Sequence, residues 1–475
     1  MARAVYRFTR DLRLDDHAGL AAACAHGEVL PVLVVDRALH TRLASSPRRA
    51  AFYCKAVKEL DADLKAHGSR LIVRRGSAGS TLKSLARATD ARAVAWSASF
   101  DAAGILADQQ LQSQLEEAGL RAQVVADAPA VTPEEGTAAR PSTGEGYRSF
   151  TAYYHTWRDL VPASFEMPLL LAFARTELHT EALPDPAEFG TPADGPKAGA
   201  QAAQRKFEAF LNGEGPQYSI AVNQPADDRT SHLSAELSFG TIAARTIVRQ
   251  TRRRIEDPFL LAEERASLKL FLRSIAMRDF FLQLAWYNPH TGSSPLQEKM
   301  QHFVFAQTHP KLDAWKAGRT GYPMVDAGIA QLKATGWMHP RVRSIAASFL
   351  CFDLGVDWRV GIAEWDRLLI EDEPALSSGN WQWIAGVGAD LAAYPRIFNP
   401  RKQWRRFDPG AVYVKRWIPE LAHVPAAAIG AAAPLSPQTE LALFPSPSYP
   451  QPVVNHDEVA RAFLKRYQQF ALGGV

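Results

Sequence analysis

GWMHPRVR, residues 336–343, is the run on which the reading of this 475-residue chain turns. Arg341 and Arg343 stand two apart, so on a helix they do not share a face. Bordering a ligand, they would serve different partners: one can stabilise negative charge on it, and the other can reach a phosphate. Two solvated surface arginines are the commoner outcome, but Trp337 and His339 beside them favour a site. Tryptophan is dense around this run, at Trp286, Trp315, Trp337, Trp358, Trp365, Trp381, Trp383, Trp404 and Trp417. Core packing accounts for any one of them, because each ring buries a large apolar area. Trp381 and Trp383 have a different setting. They close SSGNWQW, residues 377–383, read as a Gly/Ser-rich turn that exposes two aromatic faces for stacking on a flat ligand. Upstream, Thr230-Ser231-His232-Leu233-Ser234 precedes a helical pattern. Hydroxyl residues there either cap the helix or donate to phosphate oxygens at its N-terminus.

Residues 1–128 are patterned differently. Apolar strand candidates at 4–8, 29–36, 70–74, 93–97 and 122–126 alternate with amphipathic stretches such as 51–66 and 107–118. This alternation predicts an α/β fold, a Rossmann-like parallel-sheet domain covered by helices. Ligands of such sheets bind at the carboxyl ends of the strands, although no G-x-G-x-x-G follows the first strand. Residues 129–200 are rich in Pro, Gly, Ala, Thr and Glu around an aromatic island at 147–157, and read as an interdomain linker. From 201 to 475 the patterns are helical, at 203–211, 241–254, 260–286, 324–334, 344–352, 360–369 and 456–470. They predict a larger all-helical domain. The Ala/Pro-rich stretch at 426–450 reads as an irregular surface segment.

Bulk properties bound the function. At about 100–200 residues per domain, the length suggests two or three domains. A hydrophobic fraction of 47% permits a large core, and a net charge of +4 does not by itself predict nucleic-acid binding. Cys24, Cys54 and Cys351 form no C-x-x-C pair and suit a reduced, cytoplasmic protein. The N-terminal MARAVYRFTRDLRL lacks the apolar stretch of a secretory signal, and no run approaches the roughly 20 apolar residues of a membrane span.

The segments together resemble the DNA photolyase/cryptochrome family. Its flavin domain carries a tyrosine followed by T-S-x-L-S, here Tyr218 and then Thr230–Ser234, with Phe239-Gly240 after them. It carries T-G-Y-P-x-V-D-A (residues 320–327), G-W-M-H-x-R-x-R (336–343), D-W-R (357–359), the W-Q-W segment, R-I-F-N-P (396–400) and Y-P-Q-P-x-V-x-H (449–456). FTRDLRLDDH near the N-terminus is similar to a further family segment. The resemblance implies FAD bound between helices of residues 201–475. Tyr218, Thr230, Ser231, Leu233 and Ser234 would hold the phosphates and neighbouring atoms. Arg278 and Arg343 would lie near the flavin, with an acidic partner among Glu371, Asp372 and Glu373. In the family's repair enzymes, light excites the reduced flavin, which lends one electron to a pyrimidine dimer flipped out of DNA. Arg341, Arg396, Lys402, Arg405 and Arg406 would form the phosphate-binding rim on damaged or single-stranded DNA. A monomer, a lyase of the deoxyribodipyrimidine photo-lyase class, is the activity implied. A cryptochrome-like photoreceptor signalling through a partner is the alternative.

Departures from the family pattern concentrate where the lesion would sit. Ser274 stands for a Glu that bonds the dimer, and Met277 for a Trp that stacks on it, leaving Trp383 from the stacking pair. Pro340 replaces an Asn, Ser344 a Met, and Val222 an Arg. At the flavin, Ser377 replaces the Asn facing N5. Trp381 and Trp358 match the first two members of the family's electron-transfer chain, and Phe305 stands where its surface tryptophan belongs; Trp315, Trp365 and Trp404 are substitutes between which the sequence does not choose. Gly292 and Ser293 lie where folate-binding members have polar anchors, which argues against a folate antenna and leaves a deazaflavin or none.

Overall fold

Five short runs of Val, Ile, Leu and Ala pair as a parallel sheet: β1 (Arg3–Phe8), β2 (Glu28–Val35), β3 (Ile72–Arg75), β4 (Ala91–Ser97) and β5 (Arg121–Val125). Their order is β3-β2-β1-β4-β5, with Val5 of the central strand opposite Leu30 on one side and Val94 on the other. The strand order reverses between β1 and β4, as in doubly wound folds. All five strands lie within three residues of their predicted bounds. The computed structural model describes residues 2–139, 146–160, 172–175, 177–389, 395–429 and 449–471.

Successive β1 residues face opposite ways. Ala4, Tyr6 and Phe8 pack with Phe52, Tyr53, Val57 and Leu60 of helix α3 (Pro47–Ala66). Val5 packs on the other face with Leu82, Leu85, Leu111 and Leu115, from α4 (Ala78–Thr89) and α5 (Ala102–Glu116). Burial on both faces explains why β2, EVLPVLVV, is almost continuously apolar. Two shorter helices, α1 (Ala18–Cys24) and α2 (Arg37–Ala44), follow β1 and β2.

The chain forms two compact units. The first comprises Met1–Pro216, Ser231–Gly292 and Ile370–Leu376; the second comprises Gln217–Thr230, Ser293–Leu369 and Ser377–Val475. In the first unit the aromatic island, read from sequence as part of a linker, contains helix α6 (Phe150–Asp159). It packs on the 26-residue α9 (Ala262–Tyr287), with Phe150 and Tyr153 at 5.7 and 5.6 Å from Phe280. Helices α7 (Ala200–Asn212) and α8 (Ala244–Ile255) complete this unit's longer helices.

Asp279 of α9 is fully buried and accepts from Trp157 Nε1 at 2.8 Å and from the Ala130 and Val131 amides at 2.9 and 3.2 Å. Burial outweighs these donors and pushes its carboxyl up to about 6. The folded state therefore holds a proton that the unfolded chain, with its carboxyl near about 3.9, releases. Stability is present at acid pH and falls as pH rises between about 4 and 6, by at most about 3 kcal/mol at 1.36 kcal/mol per pKa unit. Urea midpoints measured at pH 5 and 7 are expected to fall with pH, and Asp279→Asn to flatten the slope. An unchanged slope in that variant would assign the dependence elsewhere.

In the second unit Gly336 ends α11 (Pro323–Thr335) in the left-handed region at φ 74°, where glycine is unstrained. Pro340, whose fixed φ suits a first helical turn, opens α12 (Pro340–Ser348). GWMHPRVR is thus the joint between two helices, anchored by the fully buried Met338 and His339. After α12 the chain widens into a π turn, Phe349–Asp353, and then forms α13 (Trp358–Asp366). The remaining helices used below are α10 (Leu312–Ala317), α14 (Pro374–Ala385, in this unit from Ser377), α15 (Pro400–Phe407) and α16 (His456–Ala471).

SSGNWQW is therefore helix, not turn. Pro374 sets the first turn, and Ser378, Gly379 and Gln382 are buried; packing overrides the roughly 1 kcal/mol that a glycine costs in a helix. Of the Ala/Pro-rich segment, residues 430–448 lie outside the described residues. No helix among the described residues is long and apolar enough to cross a membrane.

Candidate functional site

The residues singled out from sequence divide between the two units. In the first, Ser231, Leu233 and Ser234 lead into a short helix, Ser234–Ser238, whose N-cap is the buried Leu233. No side-chain oxygen caps that helix, so the ordinary use of these hydroxyls is not the one made of them. Ser234 Oγ instead donates to Glu371 Oε2 at 3.3 Å. Arg278 of α9 is buried and donates to the Ala128 carbonyl at 2.9 Å and the Leu237 carbonyl at 3.3 Å, with Glu373 at 3.5 Å. Asp372 is buried as well. It accepts from Arg42 at 2.7 and 2.5 Å, lies 3.7 Å from Arg49, and its amide donates to Ser238 Oγ at 2.7 Å. These arginines hold its carboxyl below the usual range against the cost of burial. Ser274 is exposed and spends its hydroxyl on its own helix, at 2.6 Å from the Phe271 carbonyl. Met277, one turn nearer Arg278, is half-buried.

In the second unit Tyr218 is buried, Val222 half-buried, and Thr230 Oγ1 is shut away from solvent with no partner among the described residues. Arg341 donates to Asn223 Oδ1 at 2.6 Å and lies 4.7 Å over the Phe407 ring. Burial and the neighbouring Arg406 lower its pKa, which marks it as a cation short of an anion. Arg343 Nε donates to the Met338 carbonyl at 2.8 Å. Within the chain, the two arginines of GWMHPRVR thus bond to different groups. Arg396 and Lys402 are exposed, Lys402 in the first turn of α15 capped by Asn399. On α14, Ser377 is half-buried and Trp383 is 39% exposed, whereas Trp381 is 4% exposed. The expectation of two open aromatic faces is corrected: on a helix these alternate residues diverge, and only Trp383 meets solvent. Phe305 is likewise no surface residue. It is buried between Phe303 at 5.1 Å and Phe463 at 6.0 Å.

The sequence reading passed over several participants. Arg42, Arg49 and Arg10 hold the 371–373 acids from more than 300 residues away, a separation no local pattern signals. Asn223 was hidden because Val222 beside it drew the comparison. Gly361 packs against Trp381 so closely that a methyl group there would collide with the ring. Its spacing of four from Trp365 was the available sign of a shared helix face.

The residues present suit FAD. Thr230 Oγ1 is an orphaned buried hydroxyl inside a hydroxyl-rich run, and leaving such a group unmet costs about 1–3 kcal/mol; a phosphate oxygen would accept from it.

Residues 4–169 match a family model described as DNA photolyase, and residues 271–469 match one described as the FAD binding domain of DNA photolyase. A deoxyribodipyrimidine photo-lyase of Halobacterium salinarum is 34% identical over 466 residues, covering 94% of this chain and 95% of that one. The chain belongs to the DNA photolyase/cryptochrome family. A bacterial class III photolyase from Agrobacterium tumefaciens superposes with a TM-score of 0.86 at 27% identity, over 99% of this chain and 98% of that one. Cryptochrome-1 of Arabidopsis thaliana is 29% identical, over 95% of this chain and 68% of that one. Membership of the photolyase/cryptochrome family thus rests on both ends of the chain, and the FAD-binding domain is part of it. The parallel sheet followed by a mostly helical remainder is the photolyase architecture.

Proposed function

We propose that the protein is a blue-light-driven photolyase acting on pyrimidine dimers in damaged or single-stranded DNA. The observation that carries this reading is the buried, unpartnered Thr230 hydroxyl in the TSHLS run of a photolyase-family chain. Bound FAD supplies the light absorption and a transferable electron. The chain's own residues hold and tune it. Tyr218, Thr230, Ser231, Leu233 and Ser234 receive the phosphates and adjoining atoms, Glu371 fixing the Ser234 hydroxyl. Arg278 and Arg343 set the charge beside the ring, Glu373 partnering Arg278, and Ser377 offers a small hydroxyl at the flavin edge. Arg341, Arg396 and Lys402 contact DNA phosphates, while Trp383 and Met277 bound the flipped bases. The chain works as a monomer in the cytoplasm, with residues 1–128, 129–200 and 201–475 as antenna domain, linker and FAD domain. An antenna, if one is carried, is a deazaflavin rather than a folate. It would use the cleft at the carboxyl ends of β1 and β4, lined by Thr9, Arg10, Ser99 and Phe100. Chromophores released on denaturation identify it.

The exposed Ser274, with its hydroxyl already committed, favours a second reading, a cryptochrome-like receptor with weak repair. Blue-light repair of a defined thymine dimer in single- and double-stranded DNA, under reducing conditions, separates the two. Restored thymine is expected, and none from a yellow preparation would overturn repair and favour the receptor reading. A colourless preparation would remove both.

A further inference from the structure

Three tryptophans of the second unit form a contiguous row. Trp381 of α14 lies 4.6 Å, centroid to centroid, from Trp365 of α13, at 56° between planes. Trp365 in turn stacks on Trp315 of α10, at 6.2 Å and 15°. Gly361 creates the first contact: only a residue without a side chain on that turn of α13 lets the Trp381 ring settle beside Trp365. All three rings are at most 5% exposed. Trp358, on the same helix, has no aromatic ring against it among the described residues. Its face carries the Arg359 guanidinium at 5.3 Å, although Arg359 is also paired with Asp357 at 2.6 Å.

We propose that Trp381, Trp365 and Trp315 are the electron relay of this protein, with Trp358 off the path. This rests on the reading that FAD is bound beside Trp381. Trp381 gives one electron to an excited, oxidised isoalloxazine, Trp365 refills Trp381, and Trp315 refills Trp365. The positive charge moves outward, one electron moves inward, and no bond is made or broken. Electronic coupling between π systems falls steeply with separation, so rings in contact exchange electrons faster than rings apart. Two stacked indoles also share a positive charge, the face of one attracting the cation on the other. Direction follows from the hydrogen bonds. Trp315 Nε1 donates to the Ala346 carbonyl at 3.0 Å, which stabilises positive charge on that ring, whereas Trp365 Nε1 has no partner among the described residues. A carbonyl is no base, so the proton stays on Trp315 and the charge remains a protonated indole cation. On Trp358 the same charge would face a guanidinium.

Flash photolysis of the full-length flavoprotein, read at the indole-cation absorption, tests the relay, with mass spectrometry mapping which tryptophan is oxidised after prolonged illumination. Trp365→Phe and Trp315→Phe are expected to lose the long-lived cation while keeping FAD, and Trp358→Phe to keep both. Oxidation products should collect on Trp315 and be absent from Trp358. A yellow Trp365→Phe protein with the wild-type cation yield and lifetime would overturn the relay while leaving FAD binding intact. If Trp365→Phe does not retain FAD, Trp315→Phe decides by the same criterion. A wild-type chain without flavin would overturn the relay and the FAD reading together.

Discussion

Asp372→Ala is expected to destabilise the protein by about 3–5 kcal/mol, the cost of removing one partner from a buried ion pair. Asp372 is 3% exposed, and Arg49 beside it is fully buried. Without the carboxylate, Arg42 loses two bonds of 2.7 and 2.5 Å, and Arg49 faces a site without its negative charge. The contrast is Arg75, whose pairs with Glu181 and Glu188 are 2.5 to 3.1 Å long but lie on the surface; such pairs contribute about 0–1 kcal/mol. Burial, not bond length, decides between them. Denaturant titration should therefore move far for Asp372→Ala and little for Arg75→Ala. A loss below about 1 kcal/mol for Asp372→Ala, no more than a surface pair contributes, would show the cluster to be dispensable. The carboxyl of Asp372 is held below its ordinary value. Its contribution is thus complete above the unfolded value of about 3.9 and disappears as pH falls through the lower folded one.

Met277→Trp is expected to tighten dark binding of dimer-containing oligonucleotides by about 5- to 150-fold, the equivalent of about 1–3 kcal/mol for one base–aromatic stack. Met277 immediately precedes Arg278 and is already half-buried, so a larger ring there adds stacking area. Undamaged DNA should gain much less. Ser274→Glu acts on a different quantity. Ser274 now turns its hydroxyl back to the Phe271 carbonyl at 2.6 Å; a carboxyl at that exposed position reaches further and should raise repair per absorbed photon more than affinity. Competition binding and single-turnover repair distinguish the two variants. Equal affinities for damaged and undamaged DNA in Met277→Trp would place the lesion away from α9.

Elements were legible in proportion to how local their cause is. The five strands were readable because β2 and its neighbours are buried on both faces and so almost continuously apolar. The long α9 was readable from its sustained pattern. SSGNWQW was misread because Ser and Gly are weak helix formers in isolation, and the packing that holds Ser378 and Gly379 lies elsewhere in the chain. Thr230 was legible as chemistry through its hydroxyl neighbours, but that its oxygen is buried and unmet is a three-dimensional fact. Trp381 was read as an open face, whereas it is closed in against Gly361. Phe305 looked like an outer position only by analogy, and Phe303 and Phe463 enclose it. The arginines around Asp372 could not be read at all, since nothing near residue 42 or 49 in sequence asks for an acid 330 residues downstream.

That last separation also sets a timetable. The first unit is assembled from three stretches of chain, the last of them only seven residues long, Ile370–Leu376. During synthesis at about 5–20 residues per second, Arg42 emerges roughly 15 to 65 seconds before Asp372 exists. Until then Arg42 and Arg49 have no such acid to turn inward to. The sheet and its helices can form early, but this unit is sealed only after nearly half of the second has been made, so a nascent chain released before residue 376 leaves the ribosome with its first unit unfinished.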